Sequence, residues 1–424
     1  MALKTPKIYV KWSFEGPSGF FMDHRAAALK NQDLRGRIMS LDKLVMRKID
    51  FPSDKSCFLF GPRGTGKSFW LNHRFKNSIY IDLLDSETFF RLSSSPEKLE
   101  SYIPEGFSDT IIVDEVQKIP KLLDEVHRLI EKYRYRFILT GSSARKLKTQ
   151  DINLLAGRAL TLNMHPFCCE ELSSDFDLAH SLKYGHLPCA YTEKDPAAYL
   201  SSYVVTYLKE EIFQEGLTRN LGNFSRFLET ASFSQGEVLN LTEIARECSL
   251  NRKLVESYFA ILEDLLLAVR LPVFTRKAKR SMIQHPKFYL FDVGVFRAIR
   301  PKGPLDSPEE IEGAALETLF MQEVRAINDY YRLGYDIFYW RTSNQIEVDF
   351  IIYGEQGIHA FEIKRKSRYT SNDLRGLRLF LKDYPMSKAY LLYGGAKRYY
   401  EEGIQIIPID EAIHEIHQML TSRC

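Results

Sequence analysis

An apolar run, Cys57-Phe58-Leu59-Phe60, leads into Gly61-Pro62-Arg63-Gly64-Thr65-Gly66-Lys67-Ser68 and then into the helix-forming Phe69-Trp70-Leu71. No other stretch constrains the fold so strongly, because the spacing G-x-x-x-x-G-K-[ST] between a strand and a helix is that of the phosphate-cradling Walker A loop. Its glycines permit a tight turn whose N–H groups point at a phosphate chain, and the following helix N-terminus adds positive potential. The eight residues Gly61, Pro62, Arg63, Gly64, Thr65, Gly66, Lys67 and Ser68 are therefore expected to hold ATP. Lys67 would reach the β/γ oxygens, and the Ser68 hydroxyl would ligate magnesium.

A second element supports the first. Thr110-Ile111-Ile112-Val113-Asp114-Glu115 is an apolar strand ending in two carboxylates, the form of a Walker B strand. Asp114 would hold the water shell of the magnesium, and Glu115 would polarise the attacking water, a role that fits hydrolysis. The next strand ends in Thr140-Gly141-Ser142-Ser143, where Ser142 or Ser143 would orient that water. Charge on the γ-phosphoryl group calls for an arginine. Arg158, in Leu154-Leu155-Ala156-Gly157-Arg158, is the first candidate and Arg145 the second.

At 424 residues the chain is too long for one core. Its net charge of +3 is too small to imply a nucleic-acid or membrane partner by itself. The longest apolar region, around Tyr258–Phe274, is broken by Glu263, Asp264 and Arg270, so no membrane span is expected. The N-terminus lacks the apolar core of a signal peptide, and the cysteines at 57, 168, 169, 189, 248 and 424 show no C-x-x-C spacing. A cytoplasmic protein is expected.

Residues 51–165 alternate strands with helices, which predicts a parallel α/β sheet with strands at 56–60, 78–82, 110–114, 136–140 and 159–163. The basic, amphipathic stretch Leu41–Lys48 is expected to lead a helix into the first of them, after an N-terminal segment at 1–50. A helical lid or linker follows at 166–234, with Tyr199–Gln214 its strongest segment. Residues 235–304 read as a winged helix: two helices around Ser249-Leu250-Asn251-Arg252, then strands at Ala268–Phe274 and Phe288–Asp292. Arg252, Lys253, Arg276, Lys277, Lys279 and Arg280 could meet DNA phosphates there.

Residues 305–424 start a fresh α/β pattern. Asp349 lies late in one expected strand, and Glu362 and Lys364, two apart, share a face of the next. Paired strands would let Asp349 and Glu362 hold magnesium, with Glu317 from the preceding helix as a third carboxylate and Lys364 positioning the attacking water.

Together these residues resemble the prokaryotic AAA-superfamily ATPases that carry a C-terminal PD-(D/E)XK nuclease-like domain of unknown function. The likeness rests on the Gly-Pro-Arg start of the Walker loop, Val113-Asp114-Glu115-Val116-Gln117, Thr140-Gly141-Ser142-Ser143 and Leu155-Ala156-Gly157-Arg158. It continues through Tyr203–Glu211, the helix pair from Leu239, and Lys287-Phe288-Tyr289-Leu290-Phe291-Asp292-Val293-Gly294. The resemblance implies a sheet with the sensor strand between the Walker strands, followed by a winged helix; it leaves the first 50 residues unexplained. The expectation is an ATP-hydrolysing switch or motor that acts on DNA, with a homo-oligomer required if the arginine works in trans. The competing expectation is an ATP-gated protein-interaction switch whose nuclease-like domain does not cut.

Overall fold

The five apolar runs between residues 56 and 163 become the strands of one parallel sheet. The computed structural model describes residues 45–142, 158–208, 212, 220–276, 280, 282, 285–303 and 307–422. Within them run β1 (Ser56–Phe60), β2 (Ile79–Asp82), β3 (Thr110–Asp114), β4 (Arg136–Gly141) and β5 (Ala159–Asn163), in the order β2-β3-β4-β1-β5. A parallel sheet is covered on both faces, so its strands are continuously apolar. Every residue of β1 and β3 is buried. Helices α1 (Lys67–Arg74), α2 (Ser86–Ser94) and α3 (Leu122–Tyr133) accompany them. On α3 the stripe Leu122, Leu123, Val126, Leu129 and Ile130 packs into the core of Phe58, Ile111 and Phe137. The strand order sets β4 between β1 and β3, so the ends of the three strands meet.

Residues 45–50 form no regular element, although a helix was expected to reach them. Arg47 is instead buried, bonded to the Tyr330 hydroxyl at 3.0 Å and paired with Glu171 at 3.3 Å.

Short helices follow: α4 (Cys169–Leu172), α5 (Leu178–Tyr184), α6 (Pro188–Thr192) and α7 (Pro196–Ser202). The expected long helix from Tyr199 loosens after Ser202 into a wider π-type turn at Tyr203–Leu208. Then come α8 (Leu221–Ser232), α9 (Leu241–Glu247) and α10 (Arg252–Asp264). Asn220, Asn240 and Asn251 cap these three, each side chain accepting from a backbone N–H three residues on. Antiparallel β6 (Ala268–Leu271) and β7 (Lys287–Leu290) come next, then α11 (Val293–Ile299). Phe224, Phe227, Tyr258, Phe259, Phe288 and Phe296 share one core, which joins the stretches on either side of residue 235.

The last region opens with α12 (Pro308–Tyr330). Its strands are β8 (Asp336–Arg341), β9 (Glu347–Gly354), β10 (Gly357–Lys364), β11 (Lys388–Tyr393), β12 (Tyr399–Glu401) and β13 (Ile404–Pro408), in the mixed order β12-β13-β11-β10-β9-β8. The period of two divides their side chains. Phe350, Phe361 and Tyr390 face α12 and α14 (Ile409–Thr421), whereas Ile351, Ala360 and Leu391 face α13 (Arg375–Asp383).

The stretch Pro272–Phe274 that follows β6 lies along β8. Phe274 N–H donates to Tyr339 O at 2.7 Å, and Tyr339 N–H donates to Pro272 O at 3.0 Å, which fastens the segment along β8. Two of the cations expected to meet DNA there are committed elsewhere. Arg276 pairs with Asp336 at 3.1 Å, and Arg280 grips both oxygens of Asp383 at 2.6 and 2.9 Å. Lys277 and Lys279 lie outside the described residues; Arg252 and Lys253 are exposed at the start of α10.

Candidate functional site

The loop between β1 and α1 takes the shape its glycines allow. Gly64 and Gly66 adopt φ of 85° and 86°, a left-handed backbone that costs glycine little. Thr65 is buried, its hydroxyl bonded to Pro62 O at 2.8 Å. Lys67 is also buried and folds back over the loop, its Nζ 2.6 Å from Gly61 O and 3.2 Å from Pro62 O. Helix α1 starts at Gly66 with no capping side chain among the described residues and no acid in its first turn. The first turn of such a helix is suited to an anion.

Opposite the loop stands the end of β3. Ser68 Oγ donates to Asp114 Oδ2 at 2.6 Å, and the Tyr80 and Thr140 hydroxyls also donate to that carboxylate. Burial, then the Asp114 charge, pushes the Tyr80 phenol well above its ordinary value, so it stays a donor. Asp114 is thus held beside Ser68, the relation two magnesium-side groups need. A hydroxyl and a carboxylate at the foot of a phosphate cradle suit a magnesium–triphosphate ion.

Glu115 leaves the strand through the left-handed region, at φ 60° and ψ 42°. For a residue with a Cβ this conformation costs about 1–3 kcal/mol, and such strain gathers at functional sites. The turn brings the Glu115 carboxylate onto the Gln117 amide, which also donates to Ser142 Oγ at 3.3 Å. Ser142 is therefore linked to Glu115 through Gln117, whereas Thr140 touches Asp114 directly. The sequence named Gln117 and Thr140 only as members of their motifs, without a role, and Tyr80, inside the edge strand β2, not at all. Ser143 and Arg145 lie outside the described residues.

Arg158 is far from this arrangement. The β1–β5 register sets Ala159 beside Ser56 and Asn163 beside Phe60, so Arg158 sits at the opposite end of the sheet. At 3.3 Å per residue that is about 16 Å from the loop. Its guanidinium pairs with Glu131 of α3. So placed, it does not reach the nucleotide loop of its own chain. Arg325 of α12 lines a small cavity with Gly61, Pro62, Met164 and His165.

Residues 53–173 match a family profile described as an AAA domain. The chain carries a P-loop AAA-type ATPase domain. Residues 175–306 and 312–412 match two profiles described as domains of unknown function, DUF8612 and DUF4143. Uncharacterized proteins of Mycobacterium bovis and Mycobacterium tuberculosis are each 25% identical over 318 residues, covering 73% of this chain and 70% of theirs. Among solved structures, the Aeropyrum pernix Orc1 protein in complex with DNA is 14% identical, spans 58% of this chain and 86% of its own, and has a TM-score of 0.23. Protein VC1899 from Vibrio cholerae is 13% identical over 86% of this chain and 97% of its own, with a TM-score of 0.22. Scores this low place no constraint on fold or function.

The AAA domain touches both neighbouring regions. Tyr203 hydroxyl donates to Arg63 O at 2.8 Å, and Tyr203 and Tyr199 stand so close that a Cβ on Gly64 would lie 3.2 Å and 3.5 Å from them. On the other side, α12 docks on the end of β5. His165 Nε2 meets Asp329 Oδ2 at 2.6 Å, Asn163 donates to Asp329 at 3.2 Å, and His165 N–H donates to the Tyr330 hydroxyl at 3.1 Å. Among the described residues, no helix is long and apolar enough to cross a membrane.

The same α12 carries Glu317 into the C-terminal cluster. Asp349 and Glu362 lie on adjacent β9 and β10. Lys364 Nζ is 2.7 Å from Glu362 Oε1 and 3.9 Å from Asp349 Oδ2, and Ile363 N–H donates to Asp349 at 2.9 Å. Glu317, Asp349, Glu362 and Lys364 are thus brought together. A second ammonium stands among the carboxylates that were expected to hold magnesium. Lys287 of β7 pairs with Glu347, lies 3.6 Å from Asp349 and 4.0 Å from Glu317, and is fully enclosed. Among the described residues, no group of three acids, histidines or cysteines is placed to hold a metal ion. Burial, then the Asp349 charge, pushes both Glu317 and Glu362 up to about 8. Burial opposes the charge of Lys287, but Tyr289 and the Glu317, Asp349 and Glu347 carboxylates outweigh it and hold the lysine well above its usual value.

Proposed function

We propose that this chain is an ATP-hydrolysing switch whose nucleotide state governs a C-terminal carboxylate–lysine centre that handles DNA. The observation that carries the ATPase half is the 2.6 Å contact of Ser68 with Asp114, with Glu115 turned out of the strand beside it. Ser68 and Asp114 would hold a magnesium ion, which supplies charge neutralisation on the β/γ oxygens. Lys67 would exchange its carbonyl partners for phosphate oxygens. Glu115, oriented by Gln117, would take the proton of the attacking water. Arg158 would serve a neighbouring copy, which makes a homo-oligomer part of the proposal.

The DNA half draws support from charge. A groove of about 640 Å³ is lined by Ile346, Ser371, Asn372, Arg375, Arg378, Leu379 and Lys382, and it begins next to Glu347 of the cluster. Arg375 and Lys382 are exposed on the same helix, suited to phosphates. The cluster and this groove would form a PD-(D/E)XK-like centre, with α9, α10, β6 and β7 as the winged helix beside it.

Two assays test the halves separately. Glu115→Gln should bind ATP as the wild type does and turn it over at least ~10²-fold more slowly, the scale of a lost general base; unchanged turnover removes Glu115 from the role. Metal-dependent nicking by the wild type that Lys364→Ala abolishes would establish cleavage. The second reading, a DNA- or protein-binding centre that does not cut, is favoured by Lys287 among the carboxylates. It stands if wild-type protein nicks nothing in magnesium or manganese.

A further inference from the structure

The C-terminal cluster is built like a cation site yet already contains a cation. Four carboxylates, Glu317, Glu347, Asp349 and Glu362, converge on Lys287 and Lys364, and Arg341 pairs with Glu347 at 3.1 Å. Lys364 belongs to β10 itself. Lys287 comes from a different part of the chain, 62 positions before Asp349 in sequence, and nothing in the C-terminal sheet requires it. Its strand is held on both sides. β6 pairs with β7 along Ala268–Leu290 to Leu271–Lys287. On the other edge, Gly236 N–H donates to Phe288 O at 2.8 Å and Leu239 N–H to Pro286 O at 2.8 Å. The ammonium is therefore set in place by backbone pairing, without the freedom of a flexible surface side chain.

We propose that Lys287 is a tethered cation occupying the position a divalent metal would take among Glu317, Asp349 and Glu347, so that the centre excludes metal while β7 is seated. The argument rests on reading the cluster as a cation-holding centre but does not require that it cleave anything. Lys287 and Lys364 already share Asp349, and a divalent ion added beside these two ammonium groups would be repelled strongly at interior dielectric. Among the described residues, Glu362 Oε2 is buried without a hydrogen-bond partner, an oxygen able to serve as a ligand. Removing the Lys287 ammonium would leave Glu317, Asp349 and Glu347 with Lys364 and Arg341 as their remaining cationic partners, and a divalent ion would then fill the place it left. Metal entry, and any chemistry that needs it, would in turn require β7 to withdraw together with the helices α9 and α10 packed on it.

Manganese binding to the full-length protein without nucleotide tests this, read by isothermal titration and by the electron paramagnetic resonance of free Mn²⁺. Wild type should show no site that Asp349→Asn removes. Lys287→Met should gain one site per chain, lost again in Lys287→Met/Glu362→Gln, whereas Lys287→Arg should gain none. A wild-type Mn²⁺ site that Asp349→Asn abolishes overturns the proposal, even should Lys287→Met fail to fold. So does a folded Lys287→Met that binds no more Mn²⁺ than wild type. Nicking assays on the same proteins separate the two readings: a metal-loaded Lys287→Met that cuts no DNA keeps the tethered cation and removes the nuclease.

Discussion

Single atoms decide two properties of the nucleotide loop and its surroundings. A Cβ built on Gly61 would lie 2.3 Å from Met164 O, a backbone oxygen that cannot move aside without shifting β5. Gly61→Ala should therefore weaken ATP binding by at least ~10-fold and lower the melting temperature, which equilibrium dialysis and calorimetry would show; wild-type affinity would mean that the loop start tolerates a shift. His359, buried in the C-terminal sheet 3.2 Å from the Tyr335 hydroxyl, is pushed down to about 4 by burial and then by Lys388. A base whose folded value lies below its unfolded one disfavours folding as it protonates. The protein should lose stability as pH falls from about 6.5 toward 4, on the order of 3 kcal/mol at most from this residue. Denaturation midpoints of His359→Gln should fall less over that window; parallel curves would take His359 out of the acid sensitivity.

Elements decide what the residues can reach. The P-loop, the Asp114-Glu115 strand end and the three strands that carry them were legible because strand, glycine turn and helix are all written in one contiguous stretch. The cluster of Glu317, Asp349, Glu362 and Lys364 was legible too, through the two-residue period of β10. Lys287 was not. It was visible only as the first letter of the run Lys287–Gly294, just before the expected wing strand Phe288–Asp292, and its role depends on β7 being carried across to β9. Arg276 and Arg280 read as DNA-facing for the converse reason, since a sequence shows a local cluster of charge but not the acids, Asp336 and Asp383, that meet it. The docking of α12 on β5 was equally hidden and can be tested. His165 is held below its usual value by burial, opposed by its contact with Asp329, so the pair bonds as neutral imidazole and carboxylate. A double-mutant cycle of His165→Ala and Asp329→Ala should give a coupling energy of about 0.5–3 kcal/mol in chemical denaturation. Strict additivity would show that the His165–Asp329 pair does not hold α12, leaving its apolar face and the Tyr330 contacts.

At the scale of the molecule, α12 is the piece both centres share. It presents Arg325, Asp329 and Tyr330 to the start of the P-loop and the end of β5, and Glu317 to the carboxylate cluster. The twelve residue steps from Glu317 to Asp329 span about 18 Å of helix, and a displacement at one end is carried to the other. Tyr289, on β7 beside Lys287, donates to Glu317 at 2.8 Å, so movement of α12 also bears on the strand that carries the tethered lysine. A coupling of this kind is reciprocal in free energy. If magnesium–ATP changes the affinity of the Glu115→Gln protein for a DNA duplex by some factor, the duplex must change its affinity for ATP by the same factor. A factor of about 5–150 is the usual range for coupled sites. Anisotropy titrations of labelled duplex and of labelled nucleotide, each run with and without the other ligand, measure the two numbers independently. Adding Asp329→Ala should shrink both toward one together, because it loosens the helix without touching either ligand. Equal affinities in the presence and absence of ATP would leave two unconnected centres on one chain, and a factor that survives Asp329→Ala unchanged would move the connection to the Tyr203 contact on Arg63.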